Sequence, residues 1–138
     1  MTQRPERSPA RLIEYLLPDG WVALVGRTDA DNERVSLEIA RPQDYWFHVR
    51  GLSGGHVVLR AREDAEPDRR VLERAASLAV WHSRARGGGV TSVTCTRARH
   101  VSKSAGTPVG TVEVRRETTL RVRPADPADV ERWAAAKR

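Results

Sequence analysis

The chain has 138 residues, of which 39% are hydrophobic, and a formal net charge of +6. This length permits one compact domain and excludes two of ordinary size, while apolar runs of only a few residues exclude a transmembrane helix. The single cysteine, Cys95, excludes an internal disulfide, and its alternating surroundings predict a packed strand position. The polar N-terminus carries no apolar signal segment, so we expect a cytoplasmic protein without membrane association.

The first predicted elements are a polar tail and a hairpin. Residues 1–10 contain two prolines and few apolar side chains, which predicts a flexible tail. The apolar runs 11–17 and 21–26 predict two strands, and the Pro-Asp-Gly sequence between them predicts the turn that joins them. The domain is therefore expected to begin at residue 11.

The next segment, 28–40, allows two interpretations. Asp29 or Asp31 can cap a short helix that ends before Pro42. The apolar residues from 35 to 39 also occupy every second position, which is typical of a strand. The pattern alone leaves both possibilities open.

The most distinctive segment predicts a second hairpin with two histidines. In an extended strand Asp44, Trp46 and His48 project to one side, and the apolar residues between them project to the other. Three glycines then allow a tight reversal of the chain. If the two strands pair about Leu52, His48 lies opposite His56. The polar-aromatic side of this hairpin is the candidate functional site.

The second half of the chain predicts a helix followed by further strands. Apolar residues recur at intervals of three and four over 68–86, which predicts the principal helix, and three glycines follow it. Three alternating strands and a short C-terminal helix are predicted at 90–96, 109–116, 118–123 and 127–138. We therefore predict an α+β fold, mainly antiparallel sheet with one principal packed helix and a short C-terminal helix. The domain is expected to span 11–124, with a helical tail at 125–138.

The positive charge is concentrated in one part of the sequence. Residues 84–123 carry nine Lys and Arg against two Asp and Glu, which leaves 15 basic and 16 acidic residues elsewhere. The nine basic residues are Arg84, Arg86, Arg97, Arg99, Lys103, Arg115, Arg116, Arg121 and Arg123. Such a local excess is typical of a surface that binds a phosphate backbone. We expect the alternating arginines to share one sheet face beside the two-histidine turn.

Two enzymatic interpretations of the hairpin are open alternatives. His48, His56 and Asp44 are residue types that bind zinc or iron, although a complete metal site needs three or four ligands. Ser53 beside His56 could act as a nucleophile, but it lies in a glycine-flanked turn without a strand-turn-helix context. A metal-assisted nucleic-acid hydrolase using His48 and His56 is therefore one alternative, and an adaptor that docks an acidic protein is another.

A nucleic-acid-binding interpretation accounts for more of these residues. Trp46 is either a buried core residue or a surface on which a base stacks. His48 and His56 either form hydrogen bonds within the hairpin, for example to Asp44, or contact nucleotide. The glycines would let a nucleotide backbone approach, and the arginines would neutralise its phosphates. The residues themselves predict polyanion binding and no finer specificity.

These motifs also resemble a known family. Asp-Tyr-Trp-Phe-His at 44–48, Gly-Gly-His-Val-Val at 54–58 and the Asp-Gly-Trp at 19–21 are similar to the NFACT-R module. That module is the C-terminal RNA-binding part of the NFACT proteins of ribosome-associated quality control, and it also occurs as a standalone protein. The family usually has Pro-Gly-Ser-His where this chain has Ser-Gly-Gly-His at 53–56.

The resemblance implies a standalone RNA-binding module without enzymatic activity, cofactor or metal. Its implied partners are tRNA or ribosomal RNA, with the large ribosomal subunit as a further candidate, in translation or ribosome-associated quality control. Asp44 would hold the hairpin and orient His48, and Lys103 with the strand arginines would engage phosphates. Besides the nine basic residues, the predicted RNA-binding residues are Asp44, Trp46, His48, Arg50, Gly54, Gly55 and His56. The oligomeric state stays open.

Overall fold

The computed structural model describes residues 11–136, and the tail predicted at 1–10 lies outside the described residues. Eight strands and three helices follow one another along the chain. They are β1 (Leu12–Leu16), β2 (Val22–Gly26), α1 (Asp29–Arg34), β3 (Tyr45–Val49), β4 (Val57–Leu59), α2 (Arg69–Trp81), β5 (Thr91–Arg97), β6 (Val101–Ser102), β7 (Glu113–Val114), β8 (Thr118–Val122) and α3 (Pro127–Ala135). The α+β fold predicted from the sequence is confirmed.

Six of the strands form one antiparallel sheet in the order β1-β2-β4-β3-β5-β8. The strand predicted at 109–116 is much shorter than expected. Only β7 is extended there, and it pairs with β6 in a separate two-stranded sheet. The arginines that follow β7 therefore do not lie on the same sheet as those of β8, which corrects the prediction of one shared basic sheet face.

Helix α2 packs on one face of the large sheet, where the main core lies. Asp68 caps its N-terminus, because the carboxylate accepts a hydrogen bond from the amide of Val71. The alanine-rich stripe is buried against the sheet as predicted. The helix ends at Trp81, five residues before the predicted end. The helix ends early because of a contact with a distant part of the chain. Ser83 pairs with Gly54 in an isolated antiparallel bridge, and this pairing ends the helix before the three glycines are reached.

The second face of the sheet is covered as well. Segment 28–40 is helical, so the strand alternative is wrong: α1 continues into a π-helical stretch, Val35–Ile39. Thr28 is the N-cap, and Asp31 completes a capping box from the third helical position, so neither aspartate is the cap residue itself. This segment and the β6–β7 sheet bury a smaller cluster that includes Trp46.

The C-terminal helix α3 joins the main core through Trp133, which is buried against it as the sequence predicted. Cys95 is also buried in β5, and burial raises the pKa of its thiol to about 11. The thiol therefore stays protonated and packs as a small apolar side chain. Within residues 11–136, every helix is too short or too polar to cross a bilayer.

Candidate nucleic-acid interface

The two-histidine hairpin has the predicted register. Strands β3 and β4 pair Trp46 with Val58 and Phe47 with Val57, which is pairing about Leu52. Continuing this register places His48 opposite His56, and their ring centroids are 4.9 Å apart in an edge-to-face arrangement.

Asp44 holds the hairpin through contacts other than the one predicted. Its carboxylate, 1% exposed, accepts hydrogen bonds from the amides of Arg41 and Ala61, each at 2.8 Å, and from the Arg60 guanidinium at 2.9 Å. These bonds hold the start of β3 to the end of β4. They also occupy both carboxylate oxygens, so the expected orientation of His48 by Asp44 does not fit the structure.

A buried hydrogen-bond network lies beneath the hairpin. Trp46 donates its indole N–H to the Ser36 hydroxyl at 2.8 Å, and the hydroxyl lies 2.8 Å from Nδ1 of His56. The Ser36 hydroxyl thus links the indole of Trp46 to the imidazole of His56. Burial, with a smaller effect from His48, lowers the pKa of His56 to about 3.

The burial of Trp46 and His56 argues against direct nucleotide contact. Trp46 is 2% exposed and His56 is 4% exposed. A base stacks only on an aromatic face that solvent can reach, and both rings are covered by the π-helical segment and their own neighbours. Of the three predicted side chains on this face, His48 alone is partly exposed. Burial lowers its pKa, and a backbone hydrogen bond with Gly54 opposes that shift.

Asn32 and the two glycines fix the tip of the hairpin. The Asn32 side chain accepts from the amide of His56 at 3.0 Å and donates to the carbonyl of Gly54 at 3.4 Å. A Cβ on Gly54 would lie 2.8 Å from the Ser83 side chain, and one on Gly55 would lie 2.9 Å from Val25. The glycines are therefore required by the protein's own packing, a reason different from the predicted approach of a nucleotide backbone.

A groove of about 630 Å³ opens over His48. The hairpin tip 50–54 and the loop 108–112 both form part of its wall. Leu52 and Val109, one in each segment, are exposed apolar side chains. Thr94 and Asn32 add polar groups to the lining, and so do the carboxylates of Asp29 and Glu117. Trp46 and His56 also line the groove, although little of either ring is exposed. A groove that places apolar side chains beside hydrogen-bonding groups, with the imidazole of His48 in its lining, is suited to a flat heteroaromatic ring such as a nucleobase.

Arginines continue this sheet face beyond the groove. Arg50 follows β3 beside Ser92 of β5, and Ser92 pairs with Arg121 of β8. The Arg50 guanidinium donates to the Thr119 hydroxyl at 3.0 Å, and that of Arg121 donates to the Ser92 hydroxyl at 3.2 Å. Arg123 lies two residues further along the same face. Within residues 11–136, none of these three guanidiniums has a carboxylate partner.

A second basic group surrounds His100. Arg99, Arg115 and Arg116 all contribute to lowering the pKa of this imidazole, after desolvation, so their charges lie near it. The group adjoins Thr96, whose hydroxyl donates to the Arg115 carbonyl. Along β5, Thr96 is four residues from Ser92, which adjoins Arg50 and Arg121, and this separation is about 13 Å. The predicted continuous basic surface is thus divided into separate groups.

Three other predicted basic residues are each engaged by neighbouring side chains or carbonyls. Arg97 lies over the Tyr45 ring and pairs with Glu66, and Arg86 lies over the Trp81 ring. Lys103 pairs with Glu33 at 2.9 Å and also donates to the carbonyls of Thr107 and Pro108. Its three N–H donors are occupied, so Lys103 connects the loop that contains Thr107 and Pro108 to α1. Its ammonium group is therefore not free to bind a phosphate.

The alternative of a metal-assisted hydrolase requires at least one further metal-binding side chain beside His48 and His56. Across the described residues 11–136, no three His, Cys, Asp or Glu side chains gather closely enough to hold a metal ion. His56 is also engaged by Ser36 through Nδ1.

Comparison with known sequences decides the family. The profile of the NFACT protein RNA binding domain matches residues 13–116, three quarters of the chain. The chain belongs to the NFACT RNA-binding domain family. The resemblance inferred from the hairpin motifs is therefore confirmed.

Two curated proteins and one solved structure are similar to this NFACT domain. The Rqc2 homolog RqcH of Streptococcus suis is 33% identical over 125 residues, and that of Bacillus subtilis is 33% identical over 113. These alignments cover 90% and 82% of this chain but 21% and 19% of the relatives, so the chain spans about a fifth of their length. A solved structure of the C-terminal part of the fibronectin/fibrinogen-binding protein from Streptococcus suis is similar with a TM-score of 0.83 and 28% identity. The match covers 95% of this chain and 52% of that one.

Sequence reasoning missed three residues that shape this site. Ser36 connects Trp46 to His56, Asn32 positions the hairpin tip, and Arg27 lies beside that tip. Arg27, in the Val-Gly-Arg sequence at 25–27, and Asn32 after it also belong to the part of the chain that resembles the family, which was the available signal. Ser36 gave no signal, because a serine in a segment of uncertain secondary structure has no predictable partner.

Proposed function

We propose that this NFACT domain is an RNA-binding module without catalytic activity. The observation that carries the proposal is the groove over His48, continued on the same sheet face by three arginines that have no carboxylate partner in the described part of the chain, 11–136. The groove suits a base, and the arginines suit the phosphates next to it. Membership in a family of RNA-binding domains supports the same choice of polymer.

An unpaired nucleotide fits this arrangement better than a duplex. The groove is concave, and the bases of a duplex are stacked and paired inside it, whereas an unpaired base can turn outward. His48 would contact that base at the groove floor, and Leu52 and Val109 would pack against its two sides. Arg50 and Arg121 would bind the neighbouring phosphates.

The kind of RNA that is bound is proposed from the family alone. We propose tRNA or ribosomal RNA as the ligand, with the large ribosomal subunit as a candidate partner and a cytoplasmic location. A role in translation or ribosome-associated quality control is part of this proposal. The alignment covers only about a fifth of the relatives named RqcH, so their activity does not transfer to this domain without experiment.

The double variant Arg50→Gln/Arg121→Gln is expected to weaken RNA binding about tenfold or more and to reduce the salt slope of log K by about two, because two phosphate contacts are lost. Fluorescence anisotropy with labelled tRNA and with ribosomal RNA fragments, at several salt concentrations, measures both quantities. The matched control is Arg69→Gln/Arg70→Gln, which removes the same charge from the start of α2.

Equal losses in the test and control variants would show that only net charge matters, and the proposed interface would be abandoned. Gel analysis of the RNA after incubation with the wild-type protein addresses the hydrolase alternative. Specific cleavage that disappears in His48→Ala would replace the binding proposal by that alternative.

A further inference from the structure

A second depression lies on the other side of the hairpin tip. This cleft has a volume of about 500 Å³ and is lined by Ser53 and Gly54 of the tip, by His82 and Arg84 after α2, and by Arg27. Neither the sequence motifs nor the groove over His48 accounts for it. The turn that ends α2 early, where Ser83 pairs with Gly54, forms the bottom of the cleft beside the tip.

The cleft is lined by two arginines and one carboxylate, that of Asp29. Arg27 and Arg84 are exposed, and neither has a carboxylate partner among residues 11–136. His82 is half-buried, and its Nε2 lies 2.7 Å from the Tyr15 hydroxyl. Burial, then Arg86 and Arg27, lowers the pKa of His82 to about 4. The imidazole is therefore neutral, and the positive charge of the cleft comes from guanidiniums.

The cleft and the groove are neighbours. Ser53 and Gly54 of the hairpin tip and Asp29 and Asn32 of α1 line both, so the tip and α1 together form the border between the two depressions. A two-stranded ribbon is about 5 Å wide between strand axes. One extended nucleic-acid strand, with its bases and phosphates both accessible, can reach across that width.

We propose that Arg27 and Arg84 bind a phosphate of the RNA strand whose base occupies the groove, so that a single unpaired strand crosses the hairpin tip at Ser53 and Gly54. The inference rests on the proposed RNA-binding function and adds to it the path and the single-stranded character of the ligand. Guanidiniums suit this role because their N–H groups bind phosphate oxygens in pairs.

The test uses a fluorescein-labelled single-stranded RNA of about 12 nucleotides, within the usual site size of single-strand binders, and the same RNA annealed to its complement. Arg27→Gln/Arg84→Gln is expected to weaken single-strand binding about tenfold and to reduce the salt slope by one to two, while Arg27→Lys/Arg84→Lys retains much of the affinity. The control is again Arg69→Gln/Arg70→Gln. Melting curves check folding, since neither cleft arginine has an ion pair with residues 11–136 and their loss should leave Tm unchanged.

The possible outcomes separate the two proposals. If Arg50→Gln/Arg121→Gln weakens binding and Arg27→Gln/Arg84→Gln does not, the strand path is overturned and the RNA-binding interface remains. If the wild-type protein binds neither RNA, the proposed function fails, and the strand path fails with it. Duplex affinity equal to single-strand affinity, with the same loss in the cleft variant, would overturn the single-stranded character.

Discussion

Acidification from about pH 7 to about pH 5 is expected to lower the free energy of unfolding by about 2 kcal/mol through His56 alone. The imidazole is 4% exposed, and its pKa is lowered from the usual 6.5 to about 3. In the unfolded chain His56 takes up a proton as the pH falls below 6.5, whereas the folded protein does not. Stability is therefore retained above 6.5 and lost progressively as the pH falls toward 3.

The structural reason is the network beneath the hairpin. Protonation of His56 would place a positive charge on a buried imidazole that lies against the neutral hydroxyl of Ser36 and the rings of Trp46 and His48. His82 contributes in the same direction, because its pKa is lowered to about 4, but its partial exposure reduces the effect. Urea unfolding at a series of pH values, above the range where carboxylates protonate, measures the slope.

The informative variant is His56→Asn, which keeps a hydrogen-bonding group near the Nδ1 position and cannot titrate. It should be less stable than the wild type at neutral pH but show a flatter pH dependence. His100→Asn is the control, since His100 lies outside the network. This variant should retain the pH dependence of stability that His56 provides. A His56→Asn protein that loses as much stability as the wild type between the two pH values would contradict the assignment.

Asp44→Ala is expected to cost about 3 kcal/mol of stability, because removal of one member of a buried ion pair leaves its partners unsatisfied. The amides of Arg41 and Ala61 and the Arg60 guanidinium all lose their acceptor. The side chain of Arg60 is partly exposed and can regain water, which places the loss at the lower end of the range for buried pairs.

The comparison is with Asp64→Ala, which breaks an ion pair to Arg62 at the surface and should leave the urea midpoint unchanged. Asp44→Asn should fall between Asp44→Ala and the wild type. Below its unfolding temperature, Asp44→Ala should still bind RNA, since Asp44 does not contact His48. Specific loss of RNA binding in a fully folded Asp44→Ala protein would instead support the orienting role predicted from the sequence.

Much of the hairpin followed from local pattern. Alternation from Asp44 to Val49 determined which side chains share a face, and the position of the glycines placed the reversal at Leu52. Both are consequences of the two-residue period of a strand, which requires no knowledge of distant residues. The periodicity of α2 and the anchoring of α3 by Trp133 were predictable for the same reason.

Burial on the second sheet face was not predictable. Trp46 and His56 belong to a face that looked open to ligand, and they are covered by the π-helical segment and β6–β7. The pattern of segment 28–40 was ambiguous between helix and strand, so this covering layer could not be placed. The end of α2 was missed because Ser83 pairs with Gly54, 29 residues earlier in the chain.

The sequence by itself determined the family, the polar face of the hairpin and the excess of positive charge, because each depends on residue type and short-range spacing. The tertiary structure decided which of those charges are free. Lys103 is paired with Glu33, 70 residues earlier in the chain, whereas Arg50 and Arg121 have no carboxylate partner within residues 11–136. Ion pairing and desolvation depend on distances in space, and a pattern in the chain does not contain those distances.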